Sequence, residues 1–391
     1  MTHPGGPVRL GIIGARGQGG FYADLIAAGR VADMTVGALT GRGAATAASA
    51  REGHPSVPFF TDPIEMMDSG AVDAIVTTVP HYLHPELAIA GMQRGLHVLV
   101  EKPLGVYTKQ VGRMLEVAAA TPSVVLAAMF NQRANPVFAR LREVIARGEI
   151  GELRRITWVI TNWFRPQSYY DASPWRGTWG GEGGGVLVNQ AAHQIDLFQW
   201  LFGTPTSVFA RVPFGFAHDF DVDDDVTAVL DYGQRGTGVL ITATHDMLGS
   251  DRLEVQGDRG RIILEDSQRA TITRLYRPMD ELSATLDAAT IQRIVRGTVD
   301  WSEFSTTEVV VGSTGYGEDH VRVLANFARA ILHGAPLVAP AAEGLNAVRL
   351  ANAIILSGWL GREVPFDFDE DLFLAELNVR IRAEGGYPER S

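Results

Sequence analysis

The sequence predicts an α/β domain built on a parallel sheet, followed by an α+β domain built on an open-faced, mostly antiparallel sheet with flanking helices. Three observations predict it. An apolar strand runs into a glycine-rich turn between Val8 and Gly20, and short apolar strands then alternate with helix-length segments to about residue 131. Beyond residue 150 the strand-like segments lengthen and lose their intervening crossover helices. The expected division is 1–131 for the first domain and 132–391 for the second.

The first element, Val8-Arg9-Leu10-Gly11-Ile12-Ile13, leads into Gly14-Ala15-Arg16-Gly17-Gln18-Gly19-Gly20. Glycines there let the backbone approach an anion at a helix N-terminus. Gly14-x-Arg16-x-x-Gly19 keeps the first and third glycines of the dinucleotide fingerprint and places arginine at the second. Gly14, Arg16, Gly17, Gln18 and Gly19 are therefore candidate pyrophosphate contacts. Phe21 to Gly29 has helical spacing and a glycine stop, and Met34 to Leu39 is a second apolar strand. The first βαβ unit thus closes by about residue 40. A carboxylate that would select NAD is expected about twenty residues beyond the glycines. The chain instead reads Thr40-Gly41-Arg42, with no acid between Asp33 and Glu52. Arg42, with Arg16, suits the 2'-phosphate of NADP; NAD held by Thr40 and backbone groups fits almost as well. The expected cofactor is NAD or NADP, with a slight lean toward NADP being accepted.

Next come the strand Val72 to Val79, a helix from Pro85 to Gly95, the strand His97 to Val100, and a closing strand Val124 to Phe130. Pro80, His81 and His84 follow a strand's C-terminal end, the crevice side where α/β sheets bind ligands, so contacts to nicotinamide or substrate are expected there, with helix capping as the alternative. In the second domain, strands are expected at Leu153–Thr161, Ser207–Val212, Thr227–Leu230, Gly238–Thr244, Arg252–Gln256 and Arg261–Leu264. A helix is expected between the first two, and helical periodicity spans Asp319 to Leu360.

Composition excludes several classes. With 45 acidic against 34 basic residues and a net charge of −11, no basic face for nucleic acid is expected. The absence of cysteine excludes disulfides and thiolate chemistry. The longest uncharged stretch, which begins at Val117 and runs past Phe130 to Gln132, contains Pro122 and is too short to span a bilayer. The N-terminus lacks a charged leader with an apolar segment, so a cytoplasmic location is expected. Asp221-Val222-Asp223-Asp224-Asp225 resembles the start of a calcium loop, but Val226 and Tyr232 stand where glycine and glutamate are needed. It reads as a solvated acidic turn. His81-x-x-His84 lacks a third ligand, and no metal is expected.

Four segments carry a resemblance: Glu101-Lys102-Pro103, Gly148-Glu149-Ile150-Gly151-Glu152-Leu153, the run from Gly183-Gly184-Gly185 through Asn189 and His193 to Asp196, and Leu350 to Ser357. Over nearly the whole chain, this resembles the glucose-fructose oxidoreductase and inositol dehydrogenase family, Gfo/Idh/MocA. The resemblance implies a Rossmann domain, with Glu101 near the cofactor, and a C-terminal sheet through which a homo-oligomer, dimer or tetramer, assembles. It also implies hydride transfer between nicotinamide and a secondary alcohol of a sugar or cyclitol, with Trp175 and Arg176 near the substrate. Tyr169 and Arg133 complete the expected substrate contacts.

The same residues have a physical reading. Asn189, His193 and Asp196 are spaced four and three apart and would share one face of a helix. Oxidising an alcohol needs a group to take the hydroxyl proton, and a neutral histidine suits it, so His193 is the candidate base. Lys102 is suited to stabilise charge developing on the substrate oxygen. Pro103 restricts the backbone beside it and is a candidate for a cis bond. The family commonly has aspartate where this chain has Asn189, which cannot take a proton but still hydrogen-bonds a hydroxyl. Trp158, Trp163, Trp175 and Trp179 fall close together with Phe164, Tyr169, Tyr170, Arg165 and Arg176, a composition that suits flat sugar faces; sheet core or subunit interface is the alternative for each. Three functions fit: a sugar or cyclitol dehydrogenase or reductase, a glycosidase that retains nicotinamide and oxidises its sugar transiently, and a non-catalytic nucleotide sensor.

Overall fold

Short apolar runs with no polar face can be buried only between two layers, and the N-terminal strands obey that rule. The computed structural model describes residues 6–391. Strands β1 (Val8–Ile13), β2 (Met34–Thr40), β3 (Phe59–Phe60), β4 (Ala74–Thr77), β5 (His97–Val100) and β6 (Leu126–Ala128) form one parallel sheet in the order β3-β2-β1-β4-β5-β6. The order reverses between β1 and β4, which opens a crevice at the C-terminal ends of those strands. The two-residue β3 was not anticipated, and the expected Val72–Val79 and Val124–Phe130 strands pair only over Ala74–Thr77 and Leu126–Ala128.

A nine-stranded mixed sheet follows, in the order β14-β13-β12-β11-β7-β10-β9-β8-β15. Its strands are β7 (Leu153–Ile160), β8 (Ser207–Arg211), β9 (Asp225–Asp231), β10 (Thr237–Ala243), β11 (Asp251–Gly257), β12 (Gly260–Glu265), β13 (Arg269–Leu275), β14 (Ser305–Val311) and β15 (Val364–Pro365). Only β7 and β10 run parallel; the other pairs are antiparallel. Alternation sends Ile156, Trp158 and Ile160 of β7, and Val226, Ala228 and Leu230 of β9, to one buried face. The helices Ala192–Phe202 and Ala341–Leu360 pack together on that side. The other face is open: Phe209 and Val229 lie opposite one another on β8 and β9 and are 49% and 39% exposed. Strands β13 and β14, the two short helices between them, and the Glu370–Glu384 helix escaped the sequence reading. Their apolar positions are diluted by arginines, threonines and acids, so no clean period stands out.

The chain leaves the first sheet after β6 to build the second, and later comes back to it. The Glu318–His333 helix returns to it, seating Val323, Leu324, Phe327 and Ala328 in the core formed by Leu10, Ile12, Tyr22 and Val76. This return brings C-terminal side chains to the crevice. Among the described residues, no helix is long and apolar enough to cross a membrane.

Candidate active site

The turn after β1 is shaped by what it cannot hold. Gly14 has φ +103°, and a Cβ there would lie 2.5 Å from the Thr78 carbonyl; a Cβ on Gly19 would lie 2.0 Å from the Gly14 carbonyl. The Thr40 carbonyl accepts the Gly14 and Ala15 N–H groups at 3.2 and 2.7 Å, pinning the turn to β2. The Gln18–Ala27 helix starts from Gly17 with no side-chain cap and no acid in its first turn. That leaves a positive helix end beside a floor of backbone. That arrangement fits a dinucleotide pyrophosphate. Arg16 and Arg42 are exposed at the rim, and Thr40 is buried beneath it.

On the other side of the crevice, β5 is followed directly by Glu101. Its buried carboxylate accepts the Tyr22 hydroxyl and the Lys102 backbone N–H. Burial raises the carboxyl pKa against the pull of Tyr22 and Lys102. The Lys102–Pro103 bond is cis. Lys102 Nζ donates to the carbonyl oxygen of Asn189 at 3.0 Å and to its side-chain Oδ1 at 3.2 Å. An ammonium has three N–H groups, so one is left to face the crevice. Burial lowers the Lys102 pKa, opposed by Glu101 and Glu182.

The run Gly183-Gly184-Gly185 carries the chain to Asn189 and His193. A Cβ on Gly185 would lie 2.0 Å from the Asp223 carbonyl. The Asp223 carboxylate accepts the Gly185 and Leu187 N–H groups at 2.7 and 2.8 Å, while Asp224 accepts the Phe216, Ala217 and His218 N–H groups. The reading of this acidic stretch as a solvated turn is thereby corrected: Asp223 and Asp224 are fully buried, because backbone N–H groups satisfy them. Burial raises the Asp223 pKa to about 6.

The helix starts at Ala192, so Asn189 lies in the preceding turn and does not share a helical face with His193. His193 is partly exposed, its ring edge-on to Phe130, with Nδ1 buried and unpartnered. Burial, then the charge of Lys102, push its pKa well below 6.5, so the ring is neutral. Asp196 points elsewhere. It takes both Nε and Nη2 of Arg133, at 2.8 and 2.7 Å, while Glu343 takes Nη1. The Arg133 side chain is 0% exposed and lies over Phe130 and Trp200. The expected substrate contact from Arg133 is thus corrected, because its guanidinium is closed off by its carboxylates.

His81 donates from Nδ1 to the Glu182 carbonyl at 3.0 Å and stands edge-on to Trp175, tying the two domains together. It follows Pro80, whose carbonyl accepts the Leu83 N–H at the start of the next helix. Both ring nitrogens of His84 face backbone carbonyls, of Pro103 at 2.7 Å and Val79 at 2.8 Å, and burial lowers its pKa to about 4. It braces the cis-proline turn and has no nitrogen left for a ligand. Arg176 lies 4.1 Å from the Tyr169 ring centroid and 5.6 Å from that of Trp175, with Arg165 5.2 Å from Tyr169. Trp158 and Trp179 are core residues, 0% and 1% exposed.

Two residues were not anticipated. Glu182 is 1% exposed and bonded to Asn189, and its pKa is raised to about 7 by burial. His320, from the returning helix, packs its ring on Phe21 and Tyr22; burial and Lys102 lower its pKa to about 4. An acid set among glycines was the available signal for the first. Nothing local signals the second, which depends on the chain's return. Among the described residues no cluster of three metal-ligating side chains occurs.

Comparison with known proteins shows the family and the fold. Residues 8–129 match the family described as "Oxidoreductase family, NAD-binding Rossmann fold", and residues 138–263 match "GFO/IDH/MocA C-terminal domain". Myo-inositol 2-dehydrogenase of Thermotoga maritima is 28% identical over 223 residues, 54% of this chain and 62% of its own, so the match spans less than two thirds of that relative. A scyllo-inositol 2-dehydrogenase (NADP(+)) of Bacillus subtilis is 26% identical over 295 residues, 75% of this chain and 78% of its own. The WlbA dehydrogenase of Bordetella pertussis, solved with NADH and UDP-GlcNAcA, superposes with a TM-score of 0.73 at 23% identity, covering 93% of this chain and 100% of its own.

Proposed function

This chain belongs to the Gfo/Idh/MocA oxidoreductase family, with an NAD-binding Rossmann domain at its N-terminus, and we propose that it transfers hydride between NAD or NADP and a secondary alcohol of a sugar, glycoside or cyclitol. The observation that carries this reading is the convergence of Lys102, from the end of β5, and His193, from the first turn of the Ala192–Phe202 helix, at one crevice beside the pyrophosphate cradle. Relatives named for inositols support the substrate class, and the NAD-binding family match together with the relative named for NADP(+) supports both cofactors.

The nicotinamide supplies the hydride acceptor in oxidation and the donor in reduction. The protein's part is the proton and the charge. A neutral His193 takes the hydroxyl proton as base, and returns it in reduction. The free N–H of Lys102 bonds the same oxygen and stabilises its developing negative charge. Asn189 holds the lysine; Trp175, Tyr169 and Arg176 offer an aromatic face and a guanidinium to a sugar ring. Gly14, Gly17, Gln18, Gly19, Thr40 and Glu101 line the cofactor side. The open face of the second sheet, with Phe209 and Val229 exposed, supports self-association through that sheet.

The test is absorbance of reduced nicotinamide with NAD and NADP separately, across monosaccharides, aryl glycosides and inositols. Steady accumulation is expected with one substrate. Aglycone release without accumulation would replace this reading with the retained-nicotinamide glycosidase, and nucleotide binding without either would leave a sensor.

A further inference from the structure

We propose that Glu182 is a positioning residue for Lys102, supplying through Asn189 the negative charge that an aspartate at position 189 would have supplied directly; this rests on the functional reading above. The geometry is a short chain of bonds. Lys102 Nζ donates to Asn189 Oδ1 at 3.2 Å, and Asn189 Nδ2 donates to Glu182 Oε1 at 2.5 Å. Glu182 Oε2 accepts the Gly177 N–H at 2.7 Å, so both carboxylate oxygens are held.

An asparagine amide can present oxygen or nitrogen to a neighbour at equal steric cost. Lys102 needs the oxygen, because an ammonium only donates. Glu182, as an acceptor, takes the nitrogen end and thereby turns the oxygen to the lysine. The amide cannot relay a proton between them, but it transmits orientation, and Glu182 adds its charge within electrostatic range of Lys102. The lysine is then aimed, with its third N–H toward the crevice.

The groups facing Glu182 define its pH behaviour. Asn189, the Gly177 N–H and Arg176 favour its ionised form, while burial and Asp223 oppose it. Its charge also reaches Tyr170 and Lys102, and its carbonyl receives His81. Glu182 titrates at about 7, whereas His193 stays neutral well below that. An acid limb near neutrality therefore reports the carboxylate and not the base.

The chain offers a direct readout, since Lys102 and Lys109 are its only lysines. Protein labelled with 13C at lysine Cε gives two signals, and Lys109→Arg assigns them. In the wild type the Lys102 signal is expected to shift through an inflection near pH 7; in Glu182→Gln that inflection disappears. Where a substrate is known, Glu182→Gln is expected to lower kcat roughly ten- to a hundredfold, an orientation loss, with cofactor Kd unchanged and the acid limb near pH 7 gone. Glu182→Gln combined with Asn189→Asp returns a carboxylate to Lys102, and at least part of kcat is expected to recover. An unchanged Lys102 titration in both variants overturns the proposal. The signal needs no turnover: if no alcohol is oxidised yet Lys102 responds to Glu182, the functional reading fails and the pairing stands.

Discussion

The cofactor cradle and the substrate turn face each other across one crevice and are built by opposite means. The cradle at Gly14–Gly19 is made of backbone, shaped by positions where a side chain would collide and opening onto a helix end that has no side-chain cap. The turn from Trp175 to His193 is made of buried charge, with Glu182 and Asp223 each holding backbone N–H groups and Lys102 held in turn. A site that binds a large constant ligand can be neutral and open at the rim. A site that must place one proton and one charge is desolvated, where electrostatic contacts are strong and an unpaired group is costly.

Removing the chemistry on the turn side tests that contrast most severely. His193→Ala and Lys102→Met are each expected to lower kcat by about 10²- to 10⁴-fold, while cofactor Kd, measured by nucleotide fluorescence titration, stays within a few-fold. Loss of cofactor binding in either variant would erase the separation between the two regions.

The second test is stability against pH. Glu182 is raised from 4.5 to about 7 in the fold, so between those values the folded state keeps a proton that the unfolded chain has released. Its contribution is fully present below pH 4.5 and lost as pH rises through 7, about 3 kcal/mol at 1.36 kcal/mol per unit. Asp223 acts in the same sense at lower pH. The difference between wild type and Glu182→Gln in denaturant melts from pH 4.5 to 8 isolates Glu182; equal pH slopes would show that the carboxylate is not desolvated.

What the sequence made legible follows the same division. A backbone cradle advertises itself, since glycines after an apolar strand have few other reasons to cluster, and a parallel sheet followed from the alternation of short apolar runs with helices. Buried charge does not. Asp223 and Asp224 look like any acidic turn until the N–H groups of residues 185, 187 and 216–218 are seen around them. Arg133 was expected at the substrate, and only folding brings Asp196 and Glu343 to it from 63 and 210 residues away. His84 and His81 were read as a pair, yet one braces a turn and the other joins the domains.

On the cradle side, Gly19→Ala places a methyl 2.0 Å from the Gly14 carbonyl and 2.5 Å from Thr78 Oγ1. Backbone must move to admit it, at a cost of about 1–3 kcal/mol. Weakened nucleotide affinity together with a lowered melting temperature is expected, with the Lys102 signal and its pH inflection retained. If Gly19→Ala alters that inflection, the two regions are mechanically coupled and not merely adjacent.

The smallest effect discriminates between cofactors. Arg42 stands exposed just past β2, where an acid would favour NAD. An exposed ion pair contributes about 0.2–1 kcal/mol, so Arg42→Ala is expected to weaken NADP by up to about fivefold while leaving NAD unchanged. Raising salt should reproduce much of that loss in the wild type, because charges open to solvent are screened within about 10 Å at 0.1 M. The same salt should leave the Lys102 inflection in place, because the Asn189 and Glu182 contacts that set it are largely shielded from water. Equal loss for NAD and NADP would mean that Arg42 reads the shared part of the nucleotide, and selection would then fall to Arg16 or to the backbone alone.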